Sequence, residues 1–208
     1  MISLKEVTNQ VQFKEQFEKV RKDPSFSKSM SLLHKGVALI RGTYNQELFY
    51  YRSPGQKERK PRDSESDVDN FFEDYRKKNY PKIASRKKAV FAFINFDAEY
   101  GNRNMLIFPK NGSKYFQSFE SHDFFKSEAY FAAEAIIKGK EEFYRKAGFY
   151  KGNKGPQEVL SDYFENGTTA PEKMKDDFRE VIIEHKGYWA FELIMLRKID
   201  IKIPEVHR

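Results

Sequence analysis

The run 89–96, Ala-Val-Phe-Ala-Phe-Ile-Asn-Phe, constrains the fold more than any other stretch of the chain. Its β-branched and aromatic residues mark a core strand. A core strand needs neighbours, and the sequence offers several. Residues 36–41 form an apolar run that ends in Ile40-Arg41-Gly42, 47–52 carry Leu48, Phe49, Tyr50 and Tyr51, and 104–109 read Asn-Met-Leu-Ile-Phe-Pro. Lys110-Asn111-Gly112-Ser113 is a turn signal that returns the chain as a strand over 115–118. Residues 180–184 and 187–197 read as a hairpin about His185-Lys186-Gly187, with a last strand over 199–203; a helix over 172–184 is the competing reading.

Helical segments alternate with these runs. Val7, Val11, Phe13, Phe17 and Val20 recur at mostly helical spacing and predict a helix over 4–22, stopped by Asp23-Pro24-Ser25. A short helix follows over 26–33. Asp63 to Ser66 supply N-caps for a helix whose apolar face is Val68, Phe71, Phe72 and Tyr75, ending near Asn79-Tyr80-Pro81. Ser121 is expected to cap a helix over 122–138, with further helical material over 141–147 and 157–164. Between strand and helix, 53–67 is a polar loop with two Pro, one Gly and no large apolar residue. The expectation is one α+β domain over 1–208, with a helical N-terminal extension over 1–33 and a core over 36–203.

Composition supports a packed core. The chain has 208 residues, 39% of them hydrophobic, with 20 Phe and 12 Tyr. It has no Cys, which removes disulfides, thiolate catalysis and cysteine-based metal sites. The four histidines, at 34, 122, 185 and 207, show no metal-ligand spacing, so no metal is expected. Met1 to Glu6 lack an apolar signal-peptide core, and no run reaches the ~18 apolar residues of a membrane span. A cytoplasmic, non-membrane protein is the expectation.

The formal net charge of +7 points to an anionic partner. The charge is lumpy: Lys57, Arg59, Lys60 and Arg62 stand together, as do Arg76-Lys77-Lys78 and Arg86-Lys87-Lys88. Either these are solvated basic faces or they face a target. Arg41, at the end of a strand and followed by Gly42, can give a bidentate fork to a phosphate, or can pair with a structural carboxylate. Ala98-Glu99-Tyr100-Gly101 puts a Tyr after the core strand, either to stack on a ligand ring or to close a helix C-terminus. Glu180, at the start of an apolar run, can stabilise a cationic sugar transition state, or can sit on an edge or pair with Lys or Arg; Glu158, Glu184 and Glu192 are rival carboxylates.

Taken in order, Ile40-Arg41-Gly42, the strand before Ala98-Glu99-Tyr100-Gly101, and Glu180-Val181-Ile182-Ile183 resemble the R-S-E class of mono-ADP-ribosyltransferases, particularly its small phage and bacterial members. The likeness covers roughly 36–200. It implies a split antiparallel β core with an N-terminal helical cap and inserted helices. It also implies NAD as substrate, with Arg41 on the phosphates, Gly42 beside it, Phe93 or Tyr100 stacked on nicotinamide, and Glu180 catalytic. The acceptor would be a host protein or nucleic acid, in the host cytoplasm, steered by Lys57, Arg59, Lys60, Arg62, Arg86, Lys87 and Lys88. Two positions depart from the pattern: Ala92 or Phe93 stands where the family carries Ser or Thr, and Phe178 where it carries Glu or Gln. The alternative expectation is therefore a catalytically inactive basic protein on the same scaffold, binding nucleic acid or acting as an inhibitor or structural partner.

Overall fold

The structure is a computed structural model that describes residues 4–54, 66–95, 101–121, 127–149, 154–177 and 179–206. The fold is mixed α+β. The chain divides into two compact units: Met1–Gly55, Ala92–Ser113 and His185–Arg208 form the first, and Gln56–Phe91 and Lys114–Glu184 the second.

The first unit begins with helix α1 (Leu4–Lys22) and helix α2 (Ser27–His34). Asp23 separates them by accepting the Ser25 N–H at 2.8 Å. Strands β1 (Leu39–Thr43), β2 (Phe49–Arg52), β4 (Arg103–Pro109) and β8 (Tyr188–Glu192) follow, with the last residues of β3 (Ala89–Ile94). Their order is β2-β8-β4-β1-β3. The pairings of β1 with β3 and β4, and of β8 with β2 and β4, are antiparallel. Phe13, Phe17 and Val20 pack with Phe26, Met30 and Leu33 over Ile40, Leu106, Phe108 and Phe191. The Phe191 ring, fully buried, meets those of Phe13, Phe17, Phe49 and Phe108.

Val11 was expected on the apolar face of α1 but is 51% exposed. Two residues advance a helix by about 200°, so Val11 lies opposite Phe13. Asn95, directly after β3, lies in the left-handed region at φ 50°. It holds the start of β1 through Ala38 N–H to its Oδ1 at 2.7 Å and its own Nδ2 to Gly36 O at 2.8 Å. The expected hairpin about 185–187 does not form, since β8 pairs with β2 and β4 and not with 181–184; the expected strand over 187–197 stops at Glu192 and continues as helix α7 (Leu193–Lys198). Leu193, Met195 and Leu196 are buried by it while Ile194 is 60% exposed, so helical spacing buries more of this apolar run than alternation would. Residues 199–203 form no strand; Ile199, Ile201 and Ile203 pack irregularly against the same core.

In the second unit the strand order is β3, β7 (Val181–Glu184), β5 (Lys114–Ser118), β6 (Gly167–Thr168). Helices α3 (Ser66–Asn79), α4 (Glu128–Lys138), α5 (Glu141–Lys146) and α6 (Pro156–Glu165) complete it. The Ser127 hydroxyl caps α4 by accepting the Tyr130 N–H at 3.0 Å, six residues beyond the expected cap at Ser121; 122–126 lie outside the described residues. Phe72 of α3 stacks on Phe164 of α6 with centroids 4.9 Å apart, over Phe116 and Ile182 of the strands. In α3, Val68 and Phe72 are buried as expected, and the same face sinks the ion pair of Glu73 with Arg76.

Candidate functional site

Strand alternation sorts the first unit's side chains onto two faces. Ile40, Leu106 and Phe191 are paired across β1, β4 and β8 and face the helices. The other face carries the cross-strand rows Thr43 with Arg103, Arg41 with Met105 and Glu192, Tyr50 with Ala190 and Ile107, and Arg52 with Tyr188 and Pro109. Ala190 is the small residue of the Tyr50 row, so nothing bulky on β8 separates the rows of Arg41 and Arg52.

Arg41 is half-buried, and its Nε is buried with no hydrogen-bond partner. That is costly for a cation's donor unless a ligand supplies the acceptor. The other enclosed arginines have each found a carboxylate: Arg76 with Glu73 at 2.8 Å, Arg86 with Glu180 at 2.9 Å, Arg103 with Glu192 at 3.4 Å, and Arg179 with Asp177. Glu192 shares Arg41's row but is taken by Arg103. Among the described residues no carboxylate lies within ion-pair distance of Arg41.

Tyr188 and His185 feel the charge of this cation and are neutral groups. Burial pushes the Tyr188 phenol up to about 12, Tyr50 pushes the same way, and Arg41 and Arg52 pull against them. Tyr188 therefore remains a neutral phenol at neutral pH. Burial first, and the Arg41 charge second, hold the His185 imidazole below its ordinary pKa. Its ring meets Tyr188 edge-on at 4.8 Å, and the Arg52 guanidinium lies 5.2 Å over the Tyr50 ring. Among the described residues the face thus carries arginine, phenol and imidazole, and the carboxylate on Arg41's row, Glu192, is held by Arg103.

Gly42 is buried in β1 opposite Asn104. Phe93 is buried in β3 and pairs with Ile40, so it lies on the face opposite Arg41 and is not brought to the patch. Tyr100, Phe178, Lys57, Arg59, Lys60 and Arg62 lie outside the described residues. Ala92 is fully buried.

Glu180 precedes β7 in the second unit and accepts a charge-assisted hydrogen bond from Arg86 Nη1 at 2.9 Å. Arg86 is buried, with its guanidinium 4.8 Å from the centre of the Phe91 ring. Burial alone would depress its pKa. The charge of Glu180 leads the influences that outweigh burial, together with Tyr163 and Asp69, and holds Arg86 above its ordinary value. Of the run 86–88, then, Arg86 is a core residue, Lys87 bonds to Asn70 Oδ1, and Lys88 is exposed. Glu184 accepts the Ser85 N–H at 3.0 Å, Glu192 pairs with Arg103, and Glu158 is exposed.

The second unit also has a cavity of about 130 Å³ lined by Glu120, Ser127, Glu128, Lys154, Asp162 and Tyr163. Two of its carboxylates are already engaged, Asp162 by Lys154 and Glu120 by Asn166. Sequence reasoning found Arg41 but missed His185, Tyr188, Tyr50 and Arg52. The signal that would have found Tyr188, Tyr50 and Arg52 is register: the pairings of β1 with β4, β4 with β8 and β8 with β2, far apart in the chain, put them on Arg41's face. Comparison of the chain with protein-family models, with curated proteins and with solved structures gives no match.

Proposed function

We propose that this protein binds a phosphate-bearing ligand on the Arg41 face of its first unit, and that it does so as a binding protein. The observation that carries this reading is the half-buried Arg41, whose Nε has no acceptor and whose charge has no carboxylate partner among the described residues. A guanidinium held on a strand with no carboxylate partner among the described residues is available to a phosphate oxygen pair. The formal net charge of +7 adds a long-range attraction for such a ligand.

NAD-dependent transfer of ADP-ribose to a host protein or nucleic acid, on a scaffold of ADP-ribosyltransferase type, is the rival proposal. It shares Arg41 as the phosphate contact. It also asks Glu180 to stabilise a cationic sugar, and that carboxylate is already neutralised by Arg86. Binding without turnover is the better-supported of the two for that reason. Calorimetric titration with adenosine monophosphate, ADP and NAD tests it: the wild type binds at least one of them, Arg41→Gln weakens binding about tenfold or more, and added salt weakens it further. Label transfer from NAD by the wild type and not by Glu180→Gln would instead establish the enzyme. No phosphate compound binding would defeat both.

A further inference from the structure

We propose that the second unit binds single-stranded nucleic acid, with a base stacked on the Tyr80 ring and the adjoining phosphates held by Lys78 and Lys82. The site is independent of Arg41, and the activity goes beyond the phosphate-binding reading above. Two observations carry it: an aromatic stack that runs from the core to the surface, and a run of cations around its outer end.

Phe72 and Phe164 are buried, and their rings stack with centroids 4.9 Å apart. The Tyr80 ring stacks on Phe164 at 4.8 Å with planes 20° apart, and Tyr80 is only half-buried. Tyr75 lies 6.2 Å from Tyr80 and 6.1 Å from Phe164, so it flanks this stack rather than extending it. Among the described residues no other ring meets Tyr80. The Tyr80 hydroxyl donates to Glu165 at 2.7 Å, which holds the ring by its edge. The turn beneath the ring is fixed as well. The Tyr80 N–H donates to Arg76 O at 2.7 Å, and the Ile83 N–H to Tyr80 O at 3.1 Å. Buried Arg76 is held by Glu73 at 2.8 Å and donates to Ile83 O at 2.7 Å. A ring anchored in this way, with part of its surface in water, is a pre-organised platform for a base of any type.

Residues 75–88 hold seven Lys and Arg and no Asp or Glu. Arg76 and Arg86 are spent on Glu73 and Glu180, and Lys87 is tied to Asn70. Lys77 meets Asp74 at 3.7 Å with both side chains more than half exposed, a contact worth little. Lys78, Lys82 and Lys88 are exposed and make no ion pair among the described residues. Lys77 and Lys78 complement the C-terminal dipole of α3, but Lys82 and Lys88 lie beyond the helix and have no such use. Lys78 and Lys82 stand two residues to either side of Tyr80, at most about 7 Å along the backbone. A strand with a base on Tyr80 therefore meets a cation on each side. A duplex keeps its bases stacked on one another, so a single strand alone uses both features.

Fluorescence anisotropy with the full chain tests this, using a labelled oligothymidylate of about twelve nucleotides beside an abasic strand and a duplex of the same length. The oligothymidylate should bind about tenfold more tightly than the abasic strand, and more tightly than the duplex. Tyr80→Leu should remove that tenfold preference, while Tyr80→Phe, which keeps the ring, should bind as the wild type does. The double variant Lys78→Gln with Lys82→Gln should lower the slope of log affinity against log salt by about 1.4, with an unchanged melting temperature. Arg41→Gln should alter none of this. Equal binding of the oligothymidylate and the abasic strand by the wild type overturns the stacking role, and that comparison needs no variant to fold. Duplex bound as tightly as the single strand overturns the ligand class. Loss of oligothymidylate binding in Arg41→Gln moves the strand to the first unit and overturns this site. No binding of the oligothymidylate overturns the proposal and leaves the Arg41 reading standing; co-sedimentation with phosphatidylserine vesicles in that case, lost in the double lysine variant, assigns the surface to a membrane instead.

Discussion

Glu180→Gln separates a structural carboxylate from a catalytic one. In the second unit Arg86 and Glu180 are 2.9 Å apart, with side chains 10% and 22% exposed. At that spacing two unit charges attract by about 6 kcal/mol in an effective dielectric of about 20, before the cost of taking each out of water. Breaking a buried pair by removing one partner typically costs about 3–5 kcal/mol. Here Gln keeps an oxygen for the hydrogen bond, Glu180 retains some water, and Phe91 still faces the guanidinium. A loss of about 2 kcal/mol for Glu180→Gln and about 3 kcal/mol for Glu180→Ala is the expectation. For a chain of this size that lowers Tm by about 4–8 °C in the Gln variant. The assay is thermal and urea unfolding without ligand, closed into a double-mutant cycle with Arg86→Met. The double variant Arg86→Met with Glu180→Leu should recover most of the loss, because a well-packed apolar pair can replace a buried ion pair. Glu180→Gln melting at the wild-type temperature, with a coupling energy under about 0.5 kcal/mol, would refute the structural role and leave the carboxylate free for chemistry.

Phe191→Ala should cost about 3–5 kcal/mol in chemical denaturation, because Phe191 is fully buried among Phe13, Phe17, Phe49 and Phe108. Gly101→Ala should cost about 2 kcal/mol or more, since Gly101 sits at φ +90° and an added Cβ would lie 2.5 Å from Thr43 N; an unchanged urea midpoint would contradict this. His185, held below its ordinary pKa, should make stability depend on pH. Below about pH 6.5 the unfolded chain takes up a proton that the folded one refuses, so stability falls as pH drops towards the folded pKa and is level above the unfolded one. His185→Gln should flatten that part of the urea-midpoint profile, and an unaltered slope would place the proton uptake elsewhere.

Local signals carried much of the fold. The helix over 4–22 is specified by its own spacing and stop, and α1 occupies those residues. The core strand begins at Ala89 as read. What failed was whatever depended on a partner. Leu193 to Leu196 look like a strand until one sees that only a helix sinks Leu193, Met195 and Leu196 together while Glu192 remains with Arg103. Arg86 looks like one member of a basic surface run, yet the nearby Phe91 ring and Glu180 draw it into the core. Composition had flagged the charge excess and could not say which cations are spent on internal carboxylates. The patch around Arg41 was invisible for the same reason, since β8 is inserted between β2 and β4 and no local period announces that order.

Arg41 and Glu180 met the same test and came out differently. Each lies at the edge of a buried apolar strand, and for each the sequence left open a structural partner or a ligand. For Glu180 the short loop and turn before β3 bring Arg86 within 2.9 Å, and the need for a countercharge is met inside the second unit. For Arg41 the row it occupies offers Met105, which is apolar, and Glu192, which Arg103 already holds. The neighbours that remain are a phenol whose pKa is about 12 and an imidazole that burial and Arg41 itself keep neutral. A cation in that setting gains most from an anion brought from outside, because Glu192 is held by Arg103 and no other carboxylate among the described residues lies within ion-pair distance. Removing Arg103's claim on Glu192, by Arg103→Met, therefore has an opposite signature to any direct loss of the site: it frees a carboxylate on Arg41's row, and anion affinity should fall although every group that contacts the ligand is intact.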